Sequence, residues 1–299
     1  MKMPGGRWSG SAGMETRATG QLGCTIHGPA SALIMLLLCL MAQACSTGLT
    51  GRREAGSSFS LPDWDRLRSA AVHAATDPIT LSSAAASAAC YLCGVDPDIS
   101  YWAREENPLF GSAGRARDYS DGLRDAAIFS CYAGMGAEAA VGLAKDGPPG
   151  LLVPGLSHAG VGAAAIGINS GLTSWIKDSS GRLRPDGSEG RSFPSGHASE
   201  AAVHATLAAQ SADRLGVSGW WGAGFRAGMG LTVSAAAWAR VEGGRHYPSD
   251  VLAGAALGRF LGNFASSLFL GAGDGSRLRV ILLPAKDGVH AAAWMELHP

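Results

Sequence analysis

From about residue 61 to 270 the sequence is a succession of apolar, Ala-rich stretches broken at short intervals by Gly, Pro and Asp, a pattern that leaves room for little but packed helices. The stretches fall at roughly 66–75, 80–93, 121–145, 152–178, 197–214, 220–240 and 248–270. The 43 glycines are scattered through them with no repeating period, so they read as points of close helix contact, not as low complexity. A chain of 299 residues is long enough to bury a substantial core. The expectation is an all-α helical domain over 61–272, followed by a tail at 273–299. In that tail Arg279-Val280-Ile281-Leu282-Leu283 and the run from Val289 to Trp294 flank Lys286-Asp287-Gly288, a turn signal that fits a short β-hairpin.

Lysine plus arginine equals aspartate plus glutamate at 24 each, so no overall field draws the chain to nucleic acid or to an acidic membrane surface. Any anion site has to be local. Asp213, Arg226, Arg240 and Arg259 interrupt the later helices, and none offers the roughly 20 uncharged, strongly apolar residues of a lipid-facing span.

The N-terminal end differs. Ala30 to Ala44 is an apolar run of about 15 residues, preceded by Lys2, Arg7 and Arg17 and closed by Ala42-x-Ala44. It reads as a secretory signal over 1–44, with a retained N-terminal anchor as the alternative and Met14 as an alternative start. Cleavage after Ala44 makes Cys45 the first residue, which resembles the lipid-modified cysteine of bacterial lipoproteins. Gln43 and Ala42 depart from that pattern, so release into the periplasm is the other outcome. Either way the protein is expected to be exported, periplasmic or lipid-anchored to the envelope membrane through Cys45. Residues 45–60, rich in Gly, Ser and Thr, read as a flexible tether. Export permits disulfides, but Cys90, Cys93 and Cys131 are odd in number, and Cys90-x-x-Cys93 lacks a βαβ context. Buried structural cysteine is the preferred reading.

Three segments between the helices hold most of the residues that can carry chemistry. The first, Lys177-x6-Arg184-Pro185, places two cations across a Gly-containing loop, where a planar fork and a point charge can wrap an oxyanion from two sides. The second is Pro194-Ser195-Gly196-His197, at the start of an Ala-rich helix. There the free backbone N–H groups and the positive end of the helix dipole favour phosphate, and Gly196 lets a ligand come close. His197 has an ordinary pKa suited to giving a proton to a leaving oxygen. The third is Arg240-x5-His246-x3-Asp250. Pro248 marks the first turn of a helix, so His246 lies just outside it and Asp250 inside it. Asp250 is expected to accept the Nδ1 hydrogen of His246 and leave Nε2 as a nucleophilic lone pair. A capping carboxylate is the plainer reading of Asp250.

These three segments, in this order and spacing, resemble the type 2 phosphatidic acid phosphatase and vanadium haloperoxidase superfamily. The resemblance covers Lys177 to Asp250 directly, and the helices around it in general character. It implies a helical bundle of the acid phosphatase and vanadium haloperoxidase type and a phosphatase active on a phosphorylated small molecule, a lipid phosphate or a polyprenyl diphosphate. By residue, it implies that Lys177, Arg184 and Arg240 bind phosphate oxygens with help from Ser195 and the Gly196 amide. It implies that His246 attacks phosphorus, that His197 acts as acid and base, and that Asp250 orients His246. The reaction would pass through a phosphohistidine with no metal and no cofactor. Ala239 departs from the family, which usually has Ser before the third-segment Arg, and removes one hydroxyl from the phosphate's surroundings.

Other signals are weaker. Gly222-x-Gly224-x-x-Ala227 has no preceding strand and reads as helix packing. His73, His158, His204 and His290 occur singly, without metal-ligand spacing. Trp220, Trp221 and Trp238 are either core or an apolar substrate entrance, and Arg245 faces either solvent or a second phosphate. Three competing functions stay open at this point: a haloperoxidase holding vanadate in the same pocket, a non-catalytic anion-binding envelope protein, and an integral lipid phosphatase.

Overall fold

A computed structural model describes residues 64–148, 156–270, 277–285 and 288–296. The expected signal segment, the tether and Cys45 lie outside the described residues. The body is all-helical. In chain order it comprises α1 (Trp64–Thr76), α2 (Pro78–Leu92), α3 (Asp96–Glu106), α4 (Ala113–Asp146), α5 (Leu156–Ser180), α6 (Gly196–Arg214), α7 (Gly219–Glu242) and α8 (Pro248–Leu270). The fold class rests on this body alone, and the hairpin expected in the tail is taken up below only as a proposal.

Two features escaped the hydrophobic pattern. Helix α3, Asp-Pro-Asp-Ile-Ser-Tyr-Trp-Ala-Arg-Glu-Glu, buries only a narrow stripe that includes Ile99 and Ala103. Its polar remainder hides the helical period, although Pro97 near its start and Asn107 in the left-handed region at its end are ordinary start and stop signals. Helix α4 starts eight residues before the expected 121, because its first turns, with Arg115, Arg117 and Asp118, are polar. Ser112 caps it, accepting from the Arg115 amide at 3.2 Å. Among the described residues α4 is also the single helix long and apolar enough to cross a membrane, with 22% of its most apolar window buried. The sequence excludes a span for the later helices alone, and α4 precedes them.

Helix α6 is the centre of the body and packs on α4, α5, α7 and α8. Most of its buried residues are small: Ala198, Ser199, Ala201, Ala202, Ala205 and Ala208 give it little girth, while Val203, His204 and Leu207 fill the core around it. The α6–α8 contact is the closest. A Cβ on Gly258 would lie 2.1 Å from the Ser199 carbonyl oxygen, and one on Gly254 would lie 2.4 Å from that of Ser195. Gly262 continues the line against Thr206. Spaced four apart, these glycines form one face of α8 on which α6 lies backbone to backbone. The expectation of glycine contacts holds for these three, whereas Gly114, Gly122, Gly136, Gly160, Gly167, Gly171, Gly224 and Gly228 would meet nothing within 4 Å of an added Cβ.

This packing sets the site. It brings the start of α6 against the start of α8, where the Ser195 amide donates to the Asp250 carbonyl at 2.9 Å. Helix α4 is moored to the end of α7 by Ser120 Oγ donating to the Ala236 carbonyl (3.2 Å) and Arg117 Nε donating to that of Gly243 (3.1 Å). The buried carboxylate of Glu242 accepts from the Phe110 amide (2.8 Å) and from Trp238 Nε1 (2.9 Å), tying the α3–α4 loop to the same place.

Overpacking the α6–α8 contact should show directly in stability. Gly258→Ala is expected to cost about 2–3 kcal/mol and to lower Tm by roughly 5–10 °C. Gly228→Ala in α7, where an added Cβ meets nothing within 4 Å, should hold or raise Tm, since Ala favours a helix interior over Gly by about 0.5–1 kcal/mol. Thermal unfolding of the two variants by circular dichroism checks the contrast.

Candidate active site

The site is built where four chain ends meet: the end of α5 with the loop after it, the start of α6, the end of α7 and the start of α8. Ser195 stands just before α6 in extended conformation, and its hydroxyl accepts from the Ala198 amide at 3.5 Å. Gly196 is the first residue of the helix. Lys177, in the last turn of α5, lies over it, so that a Cβ on Gly196 would stand 3.4 Å from the Lys177 ammonium. The helix terminus and the lysine ammonium are thus close neighbours.

Two arginines complete a cationic cup. Arg240 is 7% exposed, and its Nε is buried without a hydrogen-bond partner. The Nε of Arg184 is likewise buried and unpartnered, while its Nη2 lies 3.1 Å from Glu189 Oε2. Buried guanidinium N–H groups without acceptors are unusual in a folded protein and suit a ligand that brings oxygens. Concentrated cations also weaken one another's hold on protons. Burial, then Arg184, Arg191 and Arg240, bring the Lys177 ammonium down to about 8. Arg240 is pushed down to about 10 by burial, with Arg245, Arg184 and Arg117 adding to the effect.

His246 sits at the wall of this cup. Its backbone amide donates to the Arg240 carbonyl at 3.3 Å, closing the turn after α7, and its ring is 1% exposed. Nδ1 lies 2.7 Å from the Ser192 carbonyl oxygen, so the proton sits on Nδ1 and Nε2 keeps its lone pair. Burial, then Arg240 and Lys177, hold the imidazole well below its ordinary pKa, and it stays neutral at physiological pH. A neutral, desolvated imidazole among cations can act as a nucleophile.

The expected Asp250–His246 hydrogen bond is not the one formed. Asp250 Oδ2 is 3.9 Å from Nδ1. It accepts instead from the Ser192 hydroxyl (2.5 Å) and the Tyr247 amide (2.8 Å), while Oδ1 accepts from Arg182 (2.6 Å). The reason is its place in the first turn of α8, where a carboxylate turns back to cap its own helix and leaves the imidazole to the nearer Ser192 carbonyl. Asp250 thus acts on His246 through Ser192, which holds the carboxylate by its hydroxyl and the ring by its carbonyl.

Sequence reasoning missed the groups behind Asp250. Arg182 bridges Asp96 (2.7 Å) and Asp250 (2.6 Å), with its guanidinium 4.3 Å from the Tyr247 ring centroid. Asp96 in turn accepts from the Ser249 amide at 2.9 Å and from the Ser249 hydroxyl. Nothing local distinguishes Arg182 from Arg184 two residues on, and Asp96 comes from a helix more than eighty residues earlier in the chain.

His197 also departs from expectation. It lies at the same helix start, but burial and the Arg240 charge lower it to about 4, not the near-neutral value expected of a ready acid. Its Nε2 is met by Asp121 and Arg124 of α4, two further residues that the motifs did not flag. Arg245 pairs with Asp186 at 3.1 Å. Trp238 is core, but Trp220 and Trp221 are exposed at the far end of α7, about 30 Å along the helix from Arg240, and line no entrance to this site. Ala239 is fully buried and presents no polar group to the cup.

With this geometry in hand, comparison with known proteins places the region. Residues 160–273 match the PAP2 superfamily. A curated relative, the lipid A 1-phosphatase of Porphyromonas gingivalis, is 37% identical over 101 residues, covering 33% of this chain and 21% of the relative. The chain thus matches about a fifth of that protein's length. No solved structure matches the chain significantly.

The titration of Lys177 gives this cup a pH signature. The ammonium is charged below about 8 and neutral above it, so its contribution to anion binding is present below that pH and is lost above it. Affinity for inorganic phosphate, measured by calorimetry, is expected to weaken by up to about tenfold per pH unit above that point. Lys177→Arg, which stays charged, should flatten the profile.

Proposed function

Since residues 160–273 form a PAP2 superfamily domain, we propose that this chain is a phosphatase that hydrolyses a phosphoric ester, in the first instance a lipid phosphate, through a phosphohistidine at His246. The observation that carries this reading is the neutral imidazole of His246 in the field of Arg240, Lys177 and Arg184, with Lys177 against the N-terminus of α6. The name of the relative, lipid A 1-phosphatase, points to a phosphorylated lipid as the substrate class.

In the proposed reaction the phosphoryl oxygens lie among Lys177, Arg184, Arg240, the Gly196 amide and Ser195, which neutralise charge as it builds on them. His246 Nε2 attacks phosphorus in line, the bond to the leaving oxygen breaks, and His197 gives that oxygen a proton. Water then attacks the phosphohistidine, His197 takes the water's proton, and phosphate leaves with His246 restored. A metal ion is not part of the scheme. The low pKa of His197 in the unliganded protein is compatible with this role. A phosphate dianion arriving among the cations offsets the Arg240 field and raises the proton affinity of the imidazole when the acid is needed.

The same reading carries export through residues 1–44, attachment through a lipidated Cys45 and a short hairpin after residue 273 as further proposals. Attachment at a membrane would keep the enzyme beside a lipid substrate.

Release of phosphate from lipid phosphates, polyprenyl diphosphates and small soluble esters by purified protein tests the reading, with the lipid class expected to be fastest. Vanadate, which mimics five-coordinate phosphorus, should inhibit strongly. Arg240→Ala should lower kcat by roughly 10²–10³, and His246→Ala should leave no turnover. Hydrolysis retained by the His246→Ala protein refutes the assignment.

A further inference from the structure

Outside the three motif segments, one cluster of titratable groups reaches the reaction centre. We propose that Asp121 and Arg124, on α4, are positioning residues that set the proton-donating strength of His197, an inference that rests on the phosphatase reading above.

The two residues are three apart on α4 and so share a face. That face is turned to the start of α6 by the mooring of α4 to α7. Both side chains converge on one atom. Asp121 Oδ1 is 2.7 Å and Arg124 Nη1 is 3.1 Å from Nε2 of His197. One ring nitrogen cannot satisfy both at once. With a proton, Nε2 donates to Asp121 and opposes the Arg124 N–H; without one, it accepts from Arg124 and faces the Asp121 oxygen across two sets of lone pairs.

The proposed reaction takes His197 from imidazolium to neutral imidazole and back. With Nε2 engaged by Asp121 and Arg124, the proton given to the departing alkoxide comes from Nδ1, so the Nδ1–H bond breaks as an O–H bond forms, and Nε2 keeps its hydrogen on Asp121 while the phosphohistidine exists. Nδ1 regains a proton from the water that cleaves the N–P bond. Asp121 stabilises the imidazolium and Arg124 opposes it, so together they set how readily Nδ1 gives up its proton.

The surroundings fix the sign of each effect. The charged groups acting on His197 are Asp121 and Arg124 from α4 and Arg240 from α7. Glu200 of α6 stands 3.9 Å from Arg124 Nε, and Asp125 binds the Arg124 guanidinium at 2.8 Å, so the arginine is held in place from two sides. Burial, Arg240 and Arg124 lower the proton affinity of His197, and Asp121 raises it. Asp121 and Arg124 are both solvent-accessible, so replacing them opens no core cavity.

The test is the pH dependence of kcat for the full-length protein on two esters, hexyl phosphate and p-nitrophenyl phosphate. The alkoxide leaving group needs a proton and the nitrophenolate does not. Asp121→Asn is expected to move the alkaline limb of kcat for hexyl phosphate down by about one pH unit, and Arg124→Gln to move it up by about as much. Arg124→Lys, which keeps the charge, should leave the limb near its wild-type position. The Asp121→Asn loss should be larger on hexyl phosphate than on p-nitrophenyl phosphate. Limbs that stay in place or move in the same direction, or an equal loss on both esters, overturn the proposal while wild-type turnover keeps the phosphatase reading intact. A wild-type protein that hydrolyses neither ester removes both together.

Discussion

A buried neutral imidazole surrounded by cations is the interaction on which the rest of this structure turns. Burying Lys177, Arg184 and Arg240 near one another costs electrostatic free energy in the absence of a counter-charge, and burial first, then the neighbouring cations, lower the proton affinities of Lys177 and Arg240. Two of the three leave a buried guanidinium nitrogen unpartnered. A tetrahedral oxyanion would relieve both at once, while burial and then the same cations keep His246 uncharged with a lone pair on Nε2. In the proposed reaction, anion binding and nucleophilicity are two consequences of one arrangement.

The scaffold that holds this arrangement is glycine packing. Since α8 meets α6 through Gly254, Gly258 and Gly262, the starts of the two helices sit side by side, and Ser195 is hydrogen-bonded to Asp250 through the backbone. The second support is ionic. Arg182 joins Asp96 of α3 to Asp250 of α8, and Ser192 passes that constraint on to His246. Breaking a partly buried ion-pair network of this kind strands charges that were paired, so its members act as a unit.

Much of this was legible in the sequence, and the gaps have physical causes. The later helices followed from apolar periodicity, and the start of α8 from Pro248. Helix α3 and the first turns of α4 were missed because their exposed faces are polar and little of either is buried. The motif residues announced themselves by type and spacing within single loops, and the structure brings those loops together. Asp96, Asp121 and Arg124 reach the site from helices more than seventy residues away from the groups they bind, and no local pattern marks them. Asp250 was placed in the right turn but with the wrong partner. It caps its own helix start at the Tyr247 amide, 2.8 Å away, and stands 3.9 Å from the imidazole, a choice that residue type and spacing do not encode. The ordinary pKa of His197 likewise carried no hint of the burial, or of the Arg240 and Arg124 charges, that lower it.

The most direct test is to trap the covalent intermediate. Protein mixed with a ³²P-labelled phosphate ester and quenched within milliseconds in alkali should carry label that survives base, is released by acid, and maps to the peptide containing His246. Label absent under turnover conditions, or found on a different residue, would contradict the account.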